Sequence, residues 1–358
     1  MLDHNVYVYC FGKSTQIKQI NRHVQLFILR SRYSINGYSI PSIGDCNRLF
    51  RHLNSIRPDI IHAQPLFSPL SLLLIVLKSF FSYKIVGSLI TGTMNLKRLK
   101  SRINFIVARS FIKLFNKRIS TFFAFNKPLV LFLSTSFGIP RNKFREMPLG
   151  SDSTIFSLNS SVRDEKRLQL GVSDEETLLT YSGLFSPEKG IHLLLTAVST
   201  LIHEGYAIKL LLIGGGSIQY MDYLQNLCNE LNISSNVIFH PWVHRTHLPE
   251  LYSASDIAVW PGLPSISIIE AASVSLPIII TKSILTKHLI EYDNGLVFSS
   301  GNLIELKSSI AKLLENRSLR VDMGRRSRKL VEDKFDWNQL TKEYIEIYSE
   351  ILQIKRIP

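Results

Sequence analysis

The chain of 358 residues is too long for one ordinary hydrophobic core and predicts two domains of about 150 to 180 residues each. Its formal net charge of +14 predicts an anionic partner, such as a phosphate-bearing substrate, an anionic lipid or nucleic acid. The three cysteines form no CxxC pair, which argues against a disulfide framework and a zinc site and favours a reducing compartment.

The N-terminus shows no basic stretch followed by an apolar core, so no signal peptide is expected. The longest apolar run, residues 66–81, is interrupted by Pro69 and Lys78. Because a membrane span needs about 20 consecutive apolar residues, this run predicts a buried helix. We therefore expect a cytoplasmic protein.

The first half of the chain alternates between strand-like and helix-like patterns. Strands are predicted at residues 5–11, 24–29, 60–62, 84–90 and 119–125. Helices are predicted at residues 45–56 and 66–81, and a further helix ends near Phe137. Strands separated by helices are typical of a parallel sheet.

Residues 95–118 contain eight basic residues and no acidic residue. The basic stripe of a helix here consists of Arg102, Arg109, Lys113 and Lys117, and Ile103, Val107, Phe111 and Leu114 lie roughly opposite. Such a helix predicts contact with an anionic membrane surface, on the inner face of the cytoplasmic membrane. A surface helix with solvated charges is an alternative of equal weight. Nucleic acid is disfavoured, because no aromatic residues are interleaved for base stacking and no nucleic-acid motif occurs.

A domain boundary is expected near residues 147–156, whose sequence is MPLGSDSTIF. Pro148 and Gly150 favour turns, and the charged segment 159–166 follows. We therefore predict an N-terminal domain over residues 1–148 and a second domain over residues 149–337.

The second half repeats the alternation of strands and helices more regularly. Strands are predicted at residues 178–182, 209–213, 237–239, 256–260, 277–281 and 296–299. This pattern predicts a doubly wound parallel sheet, whose ligands bind beyond the carboxyl ends of the strands. The loops at that edge are residues 183–190, 214–217, 240–243 and 262–270, and we expect them to converge on one crevice.

Residues 256–281 form the stretch with the clearest chemistry, a strand followed by a turn and a short helix. The free amides of Ser265, Ile266 and Ser267 at the start of this helix predict an anion site. About one turn further, Glu270 offers a carboxylate that accepts hydrogen bonds from hydroxyl groups. A phosphate and a diol together describe a nucleotide. The alternative is that Glu270 is a solvated helix residue.

Lys189 is the one cation in a loop bounded by glycines, and we expect it to neutralise a diphosphate leaving group. The alternative is a solvated loop lysine. The triple glycine at residues 214–216 lacks the GxGxxG spacing, and no acidic residue ends the next strand. A dinucleotide-dependent oxidoreductase is therefore disfavoured.

Several of these segments resemble the nucleotide-sugar domain of family 4 glycosyltransferases. The resemblance rests on YSG at residues 181–183, PEKG at 187–190, LLLIGGGS at 210–217, residues 236–243, LYSASD at 251–256 and IEAA at 269–272. It extends to MPLGSDSTIF, to PDIIH at residues 58–62 and to the helix after Trp337. Members of this family are retaining enzymes of the GT-B fold, in which two Rossmann-like domains face a cleft.

The resemblance implies a donor site for a nucleoside diphosphate sugar, with a UDP-sugar as the favoured donor. Lys189 would meet the diphosphate and Glu270 the ribose, and these two are the predicted catalytic residues. The amides of residues 265–267 would hold phosphate and sugar, and Trp242 and Val243 would lie by the base. The glycines assigned to the same site are Gly183, Gly214, Gly215 and Gly262. No cofactor and no metal ion are expected, and helix 338–358 would pack back on the N-terminal domain.

The chain departs from the family pattern at two donor positions. Gly262 stands where the family has a glutamate, and Leu184 stands where it has an arginine. The family's first strand and its glycine-rich acceptor loop also have no counterpart here, so the N-terminal domain is expected to lack its first strand.

Together these patterns predict a retaining hexosyltransferase. Its expected acceptor is a lipid-linked or surface polysaccharide of lipopolysaccharide, O-antigen or capsule type. One alternative is a catalytically impaired GT-B protein that binds a nucleotide sugar or a partner. The other is a UDP-sugar epimerase of the same fold.

Overall fold

A computed structural model of the chain describes residues 4–30, 33–35, 38–89 and 99–353. The chain divides into two units, Met1–Met147 with Tyr344–Pro358, and Pro148–Glu343. Two parallel sheets flanked by helices confirm the predicted α/β fold, with a four-stranded sheet in the first unit and a six-stranded sheet in the second.

The first unit follows the predicted alternation of strands and helices with a few differences. Its strands are β1 (Val6–Gly12), β2 (Gln16–Asn21), β3 (Val24–Arg30), β4 (Tyr33–Ile35), β5 (Tyr38–Ile40), β6 (Ile60–Ala63), β7 (Lys84–Leu89), β8 (Thr121–Ala124) and β9 (Phe144–Glu146). Its helices are α1 (Ile43–Ile56), α2 (Pro69–Leu77), α3 (Leu99–Phe115) and α4 (Lys127–Phe137). Strands β2, β4, β5 and β9 were not predicted. The sequence of β2, QIKQIN, carries little apolar signal, and the other three are only three residues long.

The described part of the first unit contains two larger sheets and a two-stranded sheet of β4 and β5. Strands β6, β7, β8 and β9 lie side by side in chain order and are all parallel. A smaller sheet places β3 between β1, which is parallel to it, and β2, which is antiparallel. The predicted helix over residues 66–81 is shorter, since α2 ends at Leu77 and a turn of 3-10 helix follows.

His62 links the parallel sheet of the first unit to the C-terminal segment of the same unit. Its Nδ1 atom lies 2.7 Å from the hydroxyl of Tyr348, and its Nε2 atom lies 2.5 Å from Oγ of Ser88. Burial lowers the pKa of His62 to about 4, so the ring is neutral near neutral pH. One ring nitrogen therefore binds the C-terminal segment, and the other binds the neighbouring strand β7.

The orientation of α3 differs from the prediction. The helix turns Ala108 and Ile112 inward, whereas Val107 and Leu114 are 59% and 74% exposed. The buried positions lie four residues apart on a face next to the predicted apolar stripe, and Phe111 of that stripe is partly buried against the same core. Residues 95–98 and the side chains of Arg102 and Ile103 lie outside the described part of the structure.

The exposed face of α3 therefore mixes apolar and basic side chains. Ile106, Val107 and Leu114 lie there with Arg109 and Lys113. Among the described residues, no helix is both long enough and apolar enough to cross a lipid bilayer.

The second unit is a regular succession of strands and helices. Its strands are β10 (Thr177–Phe185), β11 (Ile208–Gly216), β12 (Val237–His240), β13 (Ile257–Trp260), β14 (Ile278–Thr281) and β15 (Gly295–Phe298). Its helices are α5 (Ser160–Gln169), α6 (Ile191–His203), α7 (Ile218–Glu230), α8 (Leu248–Ala254), α9 (Ser267–Ser273), α10 (Leu303–Glu315) and α11 (Arg317–Lys334). Helix α12 (Trp337–Leu352) begins in this unit.

The strands of the second unit lie in the order β12, β11, β10, β13, β14 and β15, and all neighbouring pairs are parallel. Apolar runs such as Ile278–Ile280 are buried on both faces, as helices on both sides of a parallel sheet require. The chain starts at β10, moves outward to β12 and returns to β13, so the order reverses between β10 and β13. In a doubly wound sheet this reversal marks the ligand-binding edge.

Two strands extend further than the apolar pattern predicted. The predicted loops began at Gly183 and Gly214, but β10 continues to Phe185 and β11 to Gly216. These residues pair in register, with Gly183 opposite Gly214. The glycines interrupt the apolar pattern, whereas the backbone hydrogen-bond ladder continues through them.

A partly buried ionic cluster lies at the start of β13. Oδ2 of Asp256 accepts hydrogen bonds from the amide of Leu178 at 2.8 Å and from Arg167 at 3.0 Å. Oδ1 of Asp256 accepts a hydrogen bond from Arg163 at 2.6 Å. Because both arginines belong to α5, the carboxylate ties this helix to β10 and β13.

We predict that Asp256→Ala lowers the free energy of unfolding of the protein by about 3 to 5 kcal/mol, because it leaves the buried Arg167 guanidinium without its counterion. Asp322→Ala is a matched control, since it removes an exposed ion pair with Arg325 and is expected to change stability by less than about 1 kcal/mol. Urea unfolding followed by circular dichroism measures both. Equal midpoints for the two variants would contradict the assigned role of Asp256.

Candidate functional site

The loops that leave β10 and β13 meet at the ligand-binding edge of the second unit. The amide of Leu263 donates a hydrogen bond to the carbonyl oxygen of Glu188 at 3.0 Å. A Cβ atom at Gly262 would lie 2.3 Å from that same oxygen, and one at Gly190 would lie 2.9 Å from the carbonyl oxygen of Pro261. Side chains at these two glycines are therefore excluded, and the two backbones touch directly.

Lys189 bridges these two loops. Its Nζ atom donates hydrogen bonds to the carbonyl oxygens of Leu263 at 3.0 Å and Pro264 at 3.1 Å. Burial lowers its pKa, an effect that the neighbouring Glu188 carboxylate opposes. An ammonium group has three donors, so Lys189 retains one N–H bond beyond these two carbonyls. The cation is thus held just before the start of α9.

The segment that leads into α9 is notable for its backbone amides. No group in the described ranges accepts a hydrogen bond from the amides of Ser265, Ile266 or Ser267. The side chains of the two serines, by contrast, are engaged. Oγ of Ser267 donates to the carbonyl oxygen of Ser182 at 2.8 Å, and Oγ of Ser265 lies 2.5 Å from Oγ of Ser267. The backbone of this segment, rather than its hydroxyl groups, is available to an anion.

A buried polar network beneath the segment holds it in place. The indole nitrogen of Trp260 donates to the carbonyl oxygen of Ser182 at 3.1 Å and contacts Oγ of Ser267 at 3.2 Å. The hydroxyl of Tyr252 forms a short hydrogen bond with Oγ of Ser182. Since these groups are buried, satisfying them fixes the end of β10 against the start of α9.

Glu270 lies on α9 and is 6% exposed. Its Oε1 atom accepts a hydrogen bond from Nε of Arg245 at 3.0 Å. Burial raises the pKa of Glu270, whereas the Arg245 guanidinium lowers it. The predicted alternative of a solvated Glu270 is therefore wrong, because the carboxylate is buried and paired.

Three predicted glycines lie on the adjoining strand ends. Gly183 and Gly214 have φ angles of +143° and +141°, and a Cβ atom at Gly214 would lie 2.0 Å from the carbonyl oxygen of Gly183. A Cβ atom at Gly183 would lie 3.8 Å from Oγ of Ser265, which places this strand end beside α9. A Cβ atom at Gly215 would lie 3.2 Å from the indole nitrogen of Trp242.

The two residues predicted to lie by a base differ in exposure. Trp242 is 62% exposed and presents its indole next to Gly215, whereas Val243 is half-buried and packs on the core of the second unit. Both follow β12 at the same edge of the sheet. The structure thus brings the predicted loops to one edge, while their roles in ligand binding remain predictions.

Sequence reasoning missed Arg245, the partner of Glu270. The residue follows the predicted loop 240–243 by two positions, in the segment His244-Arg245-Thr246-His247. Its position shortly after the predicted strand was the signal in the sequence by which Arg245 could have been identified as a site residue. Pairing with a side chain 25 residues further along the chain, however, depends on the tertiary fold.

In the ranges that the structure describes, no group of three or more His, Cys, Asp or Glu side chains is placed to hold a metal ion.

We predict that Gly262→Glu, which restores the family pattern, destabilises the protein by about 1 to 3 kcal/mol, because its Cβ atom collides with the backbone of Glu188 and Lys189. Gly262→Ala should have a similar effect. Gly44→Ala is the control, since its Cβ atom would meet nothing closer than 3.8 Å. Urea midpoints of the three variants measure the effect, and a Gly262→Glu protein as stable as wild type would contradict the observed loop packing.

Residues 162–330 match the family model "Glycosyl transferases group 1". An uncharacterised glycosyltransferase of Methanocaldococcus jannaschii is 25% identical over 224 residues, which are 61% of this chain and 57% of that protein. The capsular polysaccharide biosynthesis glycosyltransferase CapM of Staphylococcus aureus is 28% identical over 227 residues, which are 59% of this chain and 57% of CapM. The matches thus span little more than half the length of these curated relatives.

The crystal structure of Anabaena HepE in complex with UDP-glucose has a similar fold. Its TM-score is 0.76 at 16% identity, and the match covers 96% of this chain and 99% of HepE. At this identity the likeness concerns the fold. Together, the family model and the relatives show that the chain is similar to group 1 glycosyltransferases.

Proposed function

We propose that the protein is a retaining hexosyltransferase of family 4 that uses a nucleoside diphosphate sugar as donor. One observation carries the proposal: Lys189, the open amides of residues 265–267 and the buried Glu270 all lie on the two loops and the helix at the strand reversal. A cation, free N–H groups and a carboxylate in this order match a diphosphate joined to a ribose.

In the proposed donor complex, the free N–H bond of Lys189 and the amides of residues 265–267 bind the diphosphate. Glu270 accepts hydrogen bonds from the ribose hydroxyl groups, and the base lies against Trp242 and Val243. The bound nucleotides of similar folds, such as UDP-glucose in HepE, support a UDP-sugar as the first donor to test.

In the proposed reaction, the leaving group is the part of the donor that most needs electrostatic stabilisation. The bond between the anomeric carbon and the diphosphate oxygen breaks, and negative charge accumulates on the diphosphate. Lys189 and the amides oppose this charge from fixed positions, which lowers the barrier without a rearrangement of the protein. The acceptor hydroxyl attacks from the same face, and its proton passes to the departing phosphate oxygen. No metal ion or further cofactor takes part in this proposal.

A lipid-linked or surface-polysaccharide acceptor is proposed on two grounds. CapM, a relative over more than half of the chain, is a glycosyltransferase of capsular polysaccharide biosynthesis. The exposed face of α3 combines apolar side chains with Arg109 and Lys113, which suits the surface of an anionic membrane. We therefore place the protein on the inner face of the cytoplasmic membrane as a peripheral protein.

Gly262 supports a second candidate, a protein that binds a nucleotide sugar without efficient transfer. The glutamate that the family places there has no room in this structure. Donor turnover distinguishes the candidates. A panel of radiolabelled UDP-sugars and GDP-sugars, incubated with and without membrane extract, should give transfer to lipid-extractable product. Binding without turnover would favour the second candidate, and conversion of a UDP-sugar without acceptor would indicate an epimerase.

We predict that Lys189→Ala lowers turnover by roughly 10- to 1000-fold, because a preorganised charge beside the leaving group is lost. Lys312→Ala removes an exposed lysine of α10 and serves as control. Both are measured by transfer of the radiolabelled sugar under saturating donor. Unchanged turnover in Lys189→Ala would remove this residue from the site.

We predict that the protein floats with anionic liposomes at low salt and that binding falls as salt rises, because the cations of α3 act electrostatically. Replacing Arg109 and Lys113 together by Gln should weaken flotation, whereas Lys312→Gln should not. Flotation that is independent of salt would contradict an electrostatic contribution from α3.

A further inference from the structure

Arg245 is held from two sides at the edge of the proposed donor site. It begins the short turn Arg245–His247 between β12 and α8. Its Nε atom donates to Oε1 of Glu270 at 3.0 Å, and its guanidinium lies 5.1 Å from the ring centre of Phe156. Because Phe156 is fully buried, the ring is a fixed platform for the cation. The orientation of the guanidinium is thus determined by two independent contacts.

Glu270 depends on a counterion for its charge. A carboxylate that is 6% exposed favours its neutral form unless a cation or hydrogen-bond donor faces it. The neighbouring helix α8 contributes Tyr252, whose hydroxyl is bound to Ser182. Helix α11 contributes Arg328, which donates instead to the carbonyl oxygen of Ser273. Among the described residues, Arg245 is the cation in contact with Glu270.

The contact engages one carboxylate oxygen. Arg245 binds Oε1, and in the part of the chain that the structure describes no hydrogen-bond donor reaches Oε2. The side chain of Arg245 is itself 49% exposed, so the pair lies at the margin of the site and is not sealed inside the core. An ionised Glu270 in this orientation keeps acceptor capacity for hydroxyl groups of a ligand.

We propose that Arg245 is a positioning residue for nucleotide binding: by gripping Oε1 it keeps Glu270 ionised and directs Oε2 to the ribose hydroxyl groups. The inference rests on the proposed function of the donor site. Arg245 does not occupy the position of the family's arginine, because that position corresponds to Leu184 in this chain. Its action is indirect and passes through Glu270.

A purely structural ion pair would affect stability alone, whereas a positioning role also changes the pH dependence of ligand binding. The ionised carboxylate accepts hydrogen bonds from ribose, so UDP affinity falls as pH falls through the pKa of Glu270. The cation of Arg245 lowers that pKa, and its removal raises it. The fall in affinity should therefore occur at higher pH in a variant without the cation.

The test is calorimetric titration of the full chain with UDP, and with GDP in parallel, from about pH 5 to about pH 8. Arg245→Gln should bind UDP roughly 10-fold more weakly than wild type at neutral pH, because a charge-assisted contact that holds Glu270 is lost. Its loss of affinity towards acid should begin at higher pH than in wild type. Arg245→Lys keeps the charge and should stay closer to the wild-type pH profile. Arg325→Gln, which removes an exposed arginine of α11, should match wild type.

A double-mutant cycle separates this inference from the proposed function. If Arg245 acts through Glu270, the variant with both Arg245→Gln and Glu270→Gln should bind UDP no more weakly than Glu270→Gln alone. An unchanged pH profile in Arg245→Gln would overturn the role of Arg245, and so would full additivity of the losses of UDP affinity in the two single variants. In either case, UDP binding by wild type would still support the donor site. Absence of UDP and GDP binding by wild type would overturn both.

Discussion

The candidate site depends on the contact between the two loops that leave β10 and β13. The backbone at Gly262 lies so close to that of Glu188 that no side chain fits between them. This contact brings Lys189 to the carbonyl groups that precede α9, and it places a cation beside a helix start with open amides. Glycine at position 262 thus permits the loop contact that holds Lys189 near the start of α9.

Buried polar groups stabilise the backbone of the site, whereas open polar groups are available to a ligand. The hydroxyl of Ser267 and the indole of Trp260 satisfy one another and the end of β10, so they fix the backbone and offer little to a ligand. The amides of residues 265–267 and the second oxygen of Glu270 have no hydrogen-bond partner among the described residues. A rigid polar layer below and unpaired donors and acceptors above are what electrostatic preorganisation requires.

The sequence predicted the strands of the second unit and the loops at their ends because their apolar runs are short and bounded by turn residues. It could not predict that β10 and β11 continue through Gly183 and Gly214, since the ladder there is held by the backbone. The pairing of Arg245 with Glu270 was also hidden, because it depends on how β12 and α9 approach each other in space. For α3, a broad apolar distribution left the choice of inward face to tertiary packing.

Hydrogen–deuterium exchange with and without UDP tests most directly whether the strand reversal of the second unit holds a nucleotide. The open amides of residues 265–267 have no acceptor among the described residues, so they should exchange quickly in the free protein. Bound UDP should slow exchange in peptides that cover residues 186–190 and 261–270. Slowed exchange confined to other segments, with these two unchanged, would contradict the account.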